Sequence, residues 1–498
     1  MADATRSTPT GRETVIVALG QGSIMVFGGI LALLIAWFFG KSAQTDAFFA
    51  AYGIYAVGLT FIQSFRLTAV PRLVAGGDEM VGRQLGAVVL MTLALAIPMV
   101  ALATPIGSVV VESDPTDVAP EALRILWVAL LGQLLAAMLS TALVVRGSYT
   151  VVGVATLLVG VVSVGAFLAV EGSLGIAAAP VGLAVAGVWL AAVLGVMLLR
   201  AGWRPQAPKG GALREVGAEA WHLTFASAFF FSASLAYVIC VTFAARQGVG
   251  EATLFAYAYV LGAMLIGVTV NVAAMVRSPG LVASSDRTSE VAAAGLQAFK
   301  LTLILVGPVL GMALIVGEPA IGFVLGEGFE GDSALALLAT LACLTGWILG
   351  NAGGLFAVVE LLARGARRRL AALAAGQVVV LTAVAAAGAE LADIQGVAVA
   401  LSLVTLAVTA TLLRWAFGGR WRVLAVAMVG ALARELAVLG GAFGPAALLI
   451  AVADGSAAAT VAAVAAAALL VPAATYVAWP LESRALLRVL PARAGKAA

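Results

Sequence analysis

The chain has 498 residues, of which 63% are hydrophobic and only 11% are charged, and its formal net charge at pH 7 is +3. Soluble domains carry about 25% charged residues, so this composition excludes an ordinary soluble protein and indicates one that crosses a membrane many times. The sequence contains no nucleophile–base set, metal-ligand cluster or phosphate-binding glycine loop. We therefore expect neither an enzyme nor a bound metal or organic cofactor.

Long apolar runs recur from one end of the chain to the other. A helix needs about 20 apolar residues to cross the hydrocarbon core of a bilayer, and fourteen such runs follow one another with only short connections. The sequence therefore predicts an all-α polytopic membrane protein with about 14 transmembrane helices. The predicted spans are 15–39, 46–70, 82–106, 121–145, 150–170, 174–199, 218–243, 253–276, 297–317, 333–358, 369–389, 394–417, 423–449 and 457–478.

The connection between the first two spans is a short polar hinge at residues 40–46, with aromatic residues on both sides. We expect Thr45 to cap the second span, because its hydroxyl can accept a hydrogen bond from a free N–H group of the first helical turn. Asp46 lies in that first turn, where the helix dipole favours a carboxylate. The first two spans are thus predicted to form a helical hairpin.

Basic residues fall on alternate connections. If the N-terminus is cytoplasmic, the inner loops and tails hold 24 of the 28 Lys and Arg residues. The exceptions are Lys41, Arg124, Arg246 and Arg434. This distribution follows the positive-inside rule, so both termini are predicted to be cytoplasmic. Because topology accounts for the basic residues and for the pI near 9.0, no nucleic-acid partner is expected.

The two halves of the chain carry similar features in the same order. The aromatic segment 48–52 at the start of span two is matched by the segment 255–259 at the start of span eight. An Arg-Gly pair, Arg146-Gly147, follows span four, and a second pair, Arg364-Gly365, follows span ten. The order of these matches indicates an internal duplication of six spans.

Spans one and seven run in the same direction, so the duplicated halves are predicted to be parallel repeats. Parallel repeats of this kind usually enclose a central cavity that opens to alternate sides of the membrane, which favours a transporter. The predicted domains are two six-helix lobes around that cavity, two further helices and two cytoplasmic tails. Their ranges are 15–210 and 211–418 for the lobes, 419–480 for the added helices, and 1–14 and 481–498 for the tails.

The segment from Trp37 to Ala51, with the pattern Trp-Phe-Phe-Gly-x5-Asp-Ala-Phe-Phe-x-Ala, resembles the hairpin of the MurJ/MviN lipid II flippases. These belong to the multidrug/oligosaccharidyl-lipid/polysaccharide (MOP) exporter superfamily. The resemblance implies a flippase of the bacterial plasma membrane with a role in peptidoglycan and cell wall biogenesis. Its substrate would be an undecaprenyl-pyrophosphate-linked saccharide, moved from the inner to the outer leaflet.

One departure from that family concerns arginines that it carries in spans one, two and eight. The matching positions here are apolar: Met25, Leu31, Leu59 and Val260. Lipid II and another lipid-linked cell-envelope glycan are therefore both kept as the substrate.

Several polar residues inside or at the ends of spans are candidates for binding that substrate. Arg66, Arg146 and Arg277 lie at the predicted inner ends of spans two, four and eight, where three cations could hold a pyrophosphate through charge-assisted hydrogen bonds. Each could instead be a topological anchor. The further substrate-binding candidates are Arg434, Asp46, Gln63 and Asn271.

Ionisable residues within spans are also candidates for coupling transport to Na⁺, H⁺ or the membrane potential, because burying them in a membrane is costly. The coupling candidates are Asp46, His222, Glu360 and Glu435. His222 has an alternative interpretation as an interfacial residue, and Glu360 as the partner of Arg364 in an i,i+4 ion pair.

Arg434 leaves two interpretations of the thirteenth span open. In one, the span is tilted and Arg434 lies at depth, facing a lipid-tail groove or the cavity. In the other, residues 421–433 lie partly in the interface, and Arg434 anchors the start of the span.

Two rival functions remain open. One is a MATE-type antiporter of small, often cationic molecules, although no Asp or Glu falls near the middle of spans one to twelve. The other is a non-transporting partner of an envelope-synthesis complex. The leading hypothesis is a monomeric transporter whose partners are its lipid-linked saccharide and the surrounding lipids, with envelope-synthesis proteins as possible associates.

Overall fold

A computed structural model describes residues 11–110, 118–204, 212–267, 269, 287–452 and 457–480. Every regular element in these residues is helical, and fourteen α-helices are present. The first seven are α1 (Gly11–Phe39), α2 (Ala43–Ala101), α3 (Ala103–Val110), α4 (Val118–Val145), α5 (Tyr149–Leu174), α6 (Ala178–Arg200) and α7 (Ala212–Ala245). The others are α8 (Glu251–Ile266), α9 (Arg287–Leu325), α10 (Asp332–Cys343), α11 (Thr345–Ala363), α12 (Arg367–Phe417), α13 (Trp421–Val452) and α14 (Ala457–Ala478).

These helices confirm the predicted all-α polytopic fold. Within the described residues, eight helical stretches are long and apolar enough to cross a membrane, and four shorter apolar helices accompany them. Spans four, five and fourteen are each a single helix whose ends lie within a few residues of the prediction. The protein is therefore a multi-pass membrane protein.

Spans two and three, predicted as separate spans, share one helix in the structure. Helix α2 continues without interruption from Ala43 to Ala101 and passes through Pro71. At 1.5 Å per residue its 59 residues measure about 89 Å, far more than the ~30 Å core of a bilayer. Two apolar stretches within it, Ala43–Ile62 and Glu79–Ala101, are the candidate spans. The fall in hydropathy between them marks the end of a span but does not end the helix.

Spans eleven and twelve also share one helical assignment, α12, but here the chain breaks between them. Ala392 and Asp393 have non-helical backbone angles, with φ of 47° at Asp393. On either side of this break the backbones of Gly388 and Gly396 touch, since a Cβ on Gly388 would lie 2.4 Å from the carbonyl oxygen of Gly396. Only glycine permits this approach, and the two spans form a tight helical hairpin.

Span ten is divided between α10 and α11, which meet at Leu344. A further departure is at the end of span three, where Leu102 separates α2 from α3.

Contacts between helices group the chain into two compact units. The first contains the residues up to Val260, together with Leu325–Gly328 and Ala366–Val404. The second contains Leu261–Val324, Phe329–Gly365 and the residues from Thr405 onward. This grouping follows packing, whereas the predicted lobes follow the internal repeat, and the lobe boundaries stay a prediction.

In the first unit, α4 packs between α2 and α6, and α1 packs against α5. Small residues allow these helices to approach closely, as is usual in membranes. A Cβ on Gly132 of α4 would lie 2.4 Å from the backbone of Gly187 in α6, and a Cβ on Gly20 of α1 would lie 2.6 Å from the backbone of Gly153 in α5. Backbone contact at these glycines sets the spacing of the helices.

We predict that Gly187→Ala lowers the thermal stability of the purified protein, because the new Cβ would lie 2.9 Å from the carbonyl oxygen of Ala129 in α4. The expected loss is about 1–3 kcal/mol, measured as a lower unfolding temperature in detergent. Gly195→Ala is the matched control on the same helix, because its Cβ would meet nothing closer than 3.8 Å. Equal stability of the two variants would contradict a packing role for Gly187.

Candidate functional site

The first turn of α2 is closed by a reciprocal capping box. The hydroxyl of Ser42 accepts a hydrogen bond from the backbone N–H of Thr45 at 3.3 Å, and the hydroxyl of Thr45 accepts one from the N–H of Ser42 at 2.9 Å. The predicted cap at Thr45 is therefore wrong by three residues, since Ser42 is the N-cap and Thr45 is the third residue of the helix. This capping leaves the carboxylate of Asp46 available for another partner.

Asp46 caps the N-terminus of α8 instead of its own helix. Its Oδ2 accepts the backbone N–H of Gly250 at 2.5 Å, and its Oδ1 accepts the backbone N–H of Thr253 at 2.7 Å. The hydroxyl of Thr253 donates a further hydrogen bond to Oδ1 at 2.6 Å. Asp46 is only 4% exposed. A buried carboxylate is stabilised here by three donors and by the positive end of the α8 dipole.

Two more contacts join the same chain segments. The hydroxyls of Thr45 and Thr253 lie 3.0 Å apart, and Nζ of Lys41 lies 3.0 Å from Oε1 of Glu251. Gly250 has φ of +87°, and a Cβ there would overlap the side chain of Lys41, so this position requires glycine. We call these contacts between Lys41, Thr45 and Asp46 and residues 250–253 the α2–α8 junction.

Aromatic side chains form a layer beside the junction. The rings of Phe49 and Tyr257 meet edge to face with centroids 5.1 Å apart, and those of Tyr237 and Tyr259 are 4.5 Å apart. The hydroxyl of Tyr257 donates to the carbonyl oxygen of Ala32 at 2.8 Å. The two aromatic segments that indicated the repeat, 48–52 and 255–259, thus begin α2 and α8 and pack together in the first unit.

The sequence analysis missed Gly250 and Thr253, although the repeat contained the signal. Asp46 and Thr253 are 207 residues apart, which is also the offset between Phe48 and Phe255. Residues at equivalent positions of two repeats can touch each other only near the axis that relates the repeats. The register of the repeat therefore pointed to Thr253 as a neighbour of Asp46.

Five of the predicted site residues cannot be compared with the structure. Asn271 and Arg277 lie outside the described residues, and so do the side chains of Gln63, Arg66 and His222. Of the three arginines predicted to hold a pyrophosphate, only Arg146 is described. It follows α4, and its Nη1 donates to the carbonyl oxygen of Ala201 at 3.3 Å, in the turn after α6.

The predicted ion pair of Glu360 and Arg364 is confirmed. Nη2 of Arg364 lies 2.7 Å from Oε1 of Glu360, and the hydroxyl of Thr288 lies 3.1 Å from the same oxygen. Glu360 is 2% exposed. The pair joins the end of α11 to the start of α9 within the second unit.

Arg434 and Glu435 lie within one continuous helix, α13. Arg434 is exposed, and its guanidinium lies 5.0 Å from the centroid of the Trp479 ring. Glu435 is buried, and its Oε2 accepts the Nε1–H of Trp479 at 2.7 Å. Both sequence interpretations concerned the depth of Arg434, but the ionisable side chain that α13 buries is that of Glu435. Trp479, just beyond α14, was not singled out by any pattern in the sequence.

The helical architecture defines a polytopic membrane protein, and its fold is similar to those of solved transporter structures. No family model matches the sequence, and no curated protein matches it. The lipid II flippase MurJ, in an inward closed conformation, is similar in structure, with a TM-score of 0.69 at 14% identity over 96% of this chain and 100% of that one. An outward-facing MATE family multidrug resistance transporter of the MOP superfamily has a TM-score of 0.60 at 16% identity over 83% of this chain and 95% of the other. An inward-facing MATE transporter gives 0.57 at 16% identity, over 85% of this chain and 97% of that one.

We predict that Asp46→Ala destabilises the protein by about 3 kcal/mol, because it leaves the backbone N–H groups of Gly250 and Thr253 and the hydroxyl of Thr253 without their acceptor. Glu251→Ala, which removes only the partly exposed partner of Lys41, should cost less than about 1 kcal/mol. The unfolding temperature in detergent measures both. A larger loss for Glu251→Ala would show that Asp46 does not hold the junction.

Proposed function

We propose that the protein is a flippase that moves an undecaprenyl-pyrophosphate-linked saccharide, lipid II or a related cell-envelope precursor, from the inner to the outer leaflet. The observation that supports this most directly is the α2–α8 junction in a chain with the fold of MurJ along 96% of its length. The fold supports a transporter, and the junction is the contact that we propose is broken during transport. The proposed location is the bacterial plasma membrane, with both termini cytoplasmic.

The junction acts as the closed outer gate in this proposal. With a cytoplasmic N-terminus, the chain between α1 and α2 and the start of α8 both face outside, so the junction and the aromatic layer beside it close that side. A buried carboxylate bound to three donors stabilises the closed state. When the gate opens, water replaces those donors as hydrogen-bond partners of Asp46. This limits the free-energy cost of opening, because the gate lies at an end of the protein that already borders on water.

The substrate would enter from the inner side. Arg66, Arg146 and Arg277 are the proposed ligands of its pyrophosphate, because each follows or ends a span at that side of the predicted topology. The energy would come from the membrane potential or a Na⁺ or H⁺ gradient rather than from ATP, as the sequence carries no P-loop. Moving one negative charge outward across an inside-negative potential gains about 2.3 kcal/mol per 100 mV.

The pyrophosphate site is tested by flipping in proteoliposomes with an imposed inside-negative potential, using lipid II and a simpler lipid-linked glycan as separate substrates. We expect Arg66→Ala and Arg277→Ala each to reduce flipping about tenfold or more, and the double variant to be slower than either, because each loses a charge-assisted contact. Arg420→Ala is the matched control, a basic residue predicted to lie on the same side that is exposed in the 3₁₀ turn before α13.

Flipping by the double variant at the rate of the unchanged protein would show that both arginines are only topological anchors. If neither glycan is flipped but a cationic dye is exported, the MATE-type function takes its place, consistent with the similarity to MATE transporters. A protein that moves none of these substrates would favour a non-transporting role in an envelope-synthesis complex.

The outer gate is tested separately by cross-linking it shut. Lys41→Cys and Glu251→Cys replace the partly exposed ion pair, in a background where Cys240 and Cys343 are replaced by Ala, and a short thiol–thiol reagent joins them. We expect cross-linking to abolish flipping, because the junction can no longer open. Each single cysteine variant treated with the same reagent is the control and should keep its activity. Undiminished flipping by the cross-linked protein would show that the junction is not a gate.

A further inference from the structure

The second compact unit contains a cavity of about 580 Å³ between α9, the α10–α11 segment and α13. Along α9 its wall extends from Leu303 to Ile315, and along α13 from Leu432 to Ala447. At 1.5 Å per residue these stretches measure about 18 and 22 Å, so the cavity is long and narrow. Its walls are almost entirely aliphatic and aromatic, with Leu303, Leu310, Leu338, Leu341, Leu439 and Phe443 among them.

Among the described residues of this wall, Glu435 is the ionisable one. Its side chain is 1% exposed, and Oε2 accepts the hydrogen bond from Trp479 at 2.7 Å. Its other oxygen, Oε1, has no hydrogen-bond partner within the described part of the chain. A Cβ on Gly307 of α9 would lie 3.0 Å from Oε1, so the glycine leaves the space beside that oxygen open.

The basic residues near Glu435 contact Trp479 rather than Glu435. Arg434 and Lys300 both lie against the ring of Trp479, with the guanidinium carbon 5.0 Å and Nζ 5.7 Å from its centroid. Neither forms an ion pair with Glu435 among the described residues. Within the described residues, the carboxylate of Glu435 therefore has one hydrogen-bond donor and no cationic partner in a wall of hydrocarbon. A cation with an N–H group would supply both a positive charge and a second donor.

We propose that this cavity binds a lipophilic ammonium ion, with its N–H donating to Oε1 of Glu435 and its hydrocarbon chain lying along α9 and α13. The narrow apolar walls match a chain rather than a sugar, which would lose its hydrogen bonds there. A fatty acid or an alkyl phosphate would fit this site poorly, because its negative charge would be repelled by the carboxylate of Glu435. This site is separate from the α2–α8 junction and does not depend on the proposed flippase function.

The test measures binding of n-decylamine to the full chain in detergent by native mass spectrometry, with n-decanol and decyl sulfate as neutral and anionic probes of equal chain length. We expect one decylamine per chain, bound at least about tenfold more tightly than either other probe, because only the amine pairs with the carboxylate. Glu435→Gln should remove that preference, since its amide still accepts the Trp479 N–H but carries no charge.

A second variant keeps the carboxylate of Glu435 and fills the cavity beside it. Gly440 lies in the cavity wall, and a Cβ there would meet nothing within 4 Å, so Gly440→Leu should fill the cavity without a clash and abolish decylamine binding. Gly441→Leu is the matched control, because Gly441 is exposed, has equal space for a Cβ and is not in the cavity wall. Glu360→Gln is the control for loss of a buried carboxylate elsewhere in the same unit.

Any one of three results overturns the proposal. Equal binding of the three probes would make the cavity a non-selective apolar crevice. Unchanged decylamine binding in Glu435→Gln or in Gly440→Leu would place the amine elsewhere, and if Glu435→Gln does not fold, Gly440→Leu alone decides. Proton uptake at Glu435 without amine binding would likewise contradict it.

Discussion

The first turn of a helix leaves N–H groups without intrahelical partners, and inside a membrane protein each must find an acceptor. At α8 the acceptor is supplied by Asp46 of another helix, α2. One carboxylate therefore satisfies the end of α8 and joins two helices from opposite halves of the sequence repeat. The packing of Phe49 on Tyr257 follows from that joint, because both rings lie one to two turns beyond it.

Glu360 is also a buried carboxylate that needs polar partners, but its partners are different. There the carboxylate is paired with Arg364 of its own helix and contacts Thr288, so its charge is balanced locally. Glu435 is balanced by neither route, since its partner is the neutral N–H of Trp479. Asp46, Glu360 and Glu435 thus differ in what compensates each carboxylate: a helix end, a cation, or a single indole. This difference separates the candidate gate from a structural ion pair and from the cavity of the second unit.

The sequence predicts those features that depend on neighbours along one helix. Apolar runs locate the spans, as for α14 at Ala457–Ala478, and the spacing of Glu360 and Arg364 predicts their pair because residues four apart share a helix face. Capping is harder to predict, since Ser42 and Thr45 are both good caps and only the geometry of the turn selects Ser42. The continuity of α2 was missed for a related reason: hydropathy reports contact with lipid, whereas helix continuity depends on the backbone.

Features that depend on distant contacts are predictable only where the sequence repeats itself. The register of the repeat contains the approach of Asp46 to Thr253, but α13 and α14 lie outside it. Nothing in the sequence therefore connected Glu435 with Trp479, 44 residues further along. The predicted duplication makes the junction partly predictable, whereas no sequence pattern indicates the cavity of the second unit.

The contact between Gly388 and Gly396 has a consequence for how the chain enters the membrane during synthesis. Their backbones touch across a break of two residues, Ala392 and Asp393, so the helices on either side can pair through residues that are close in sequence. A pair of apolar helices needs only its tip to cross the bilayer, and this tip carries Glu390 and Asp393, acidic residues that hinder translocation little. Spans eleven and twelve are therefore expected to insert together as one hairpin rather than one after the other.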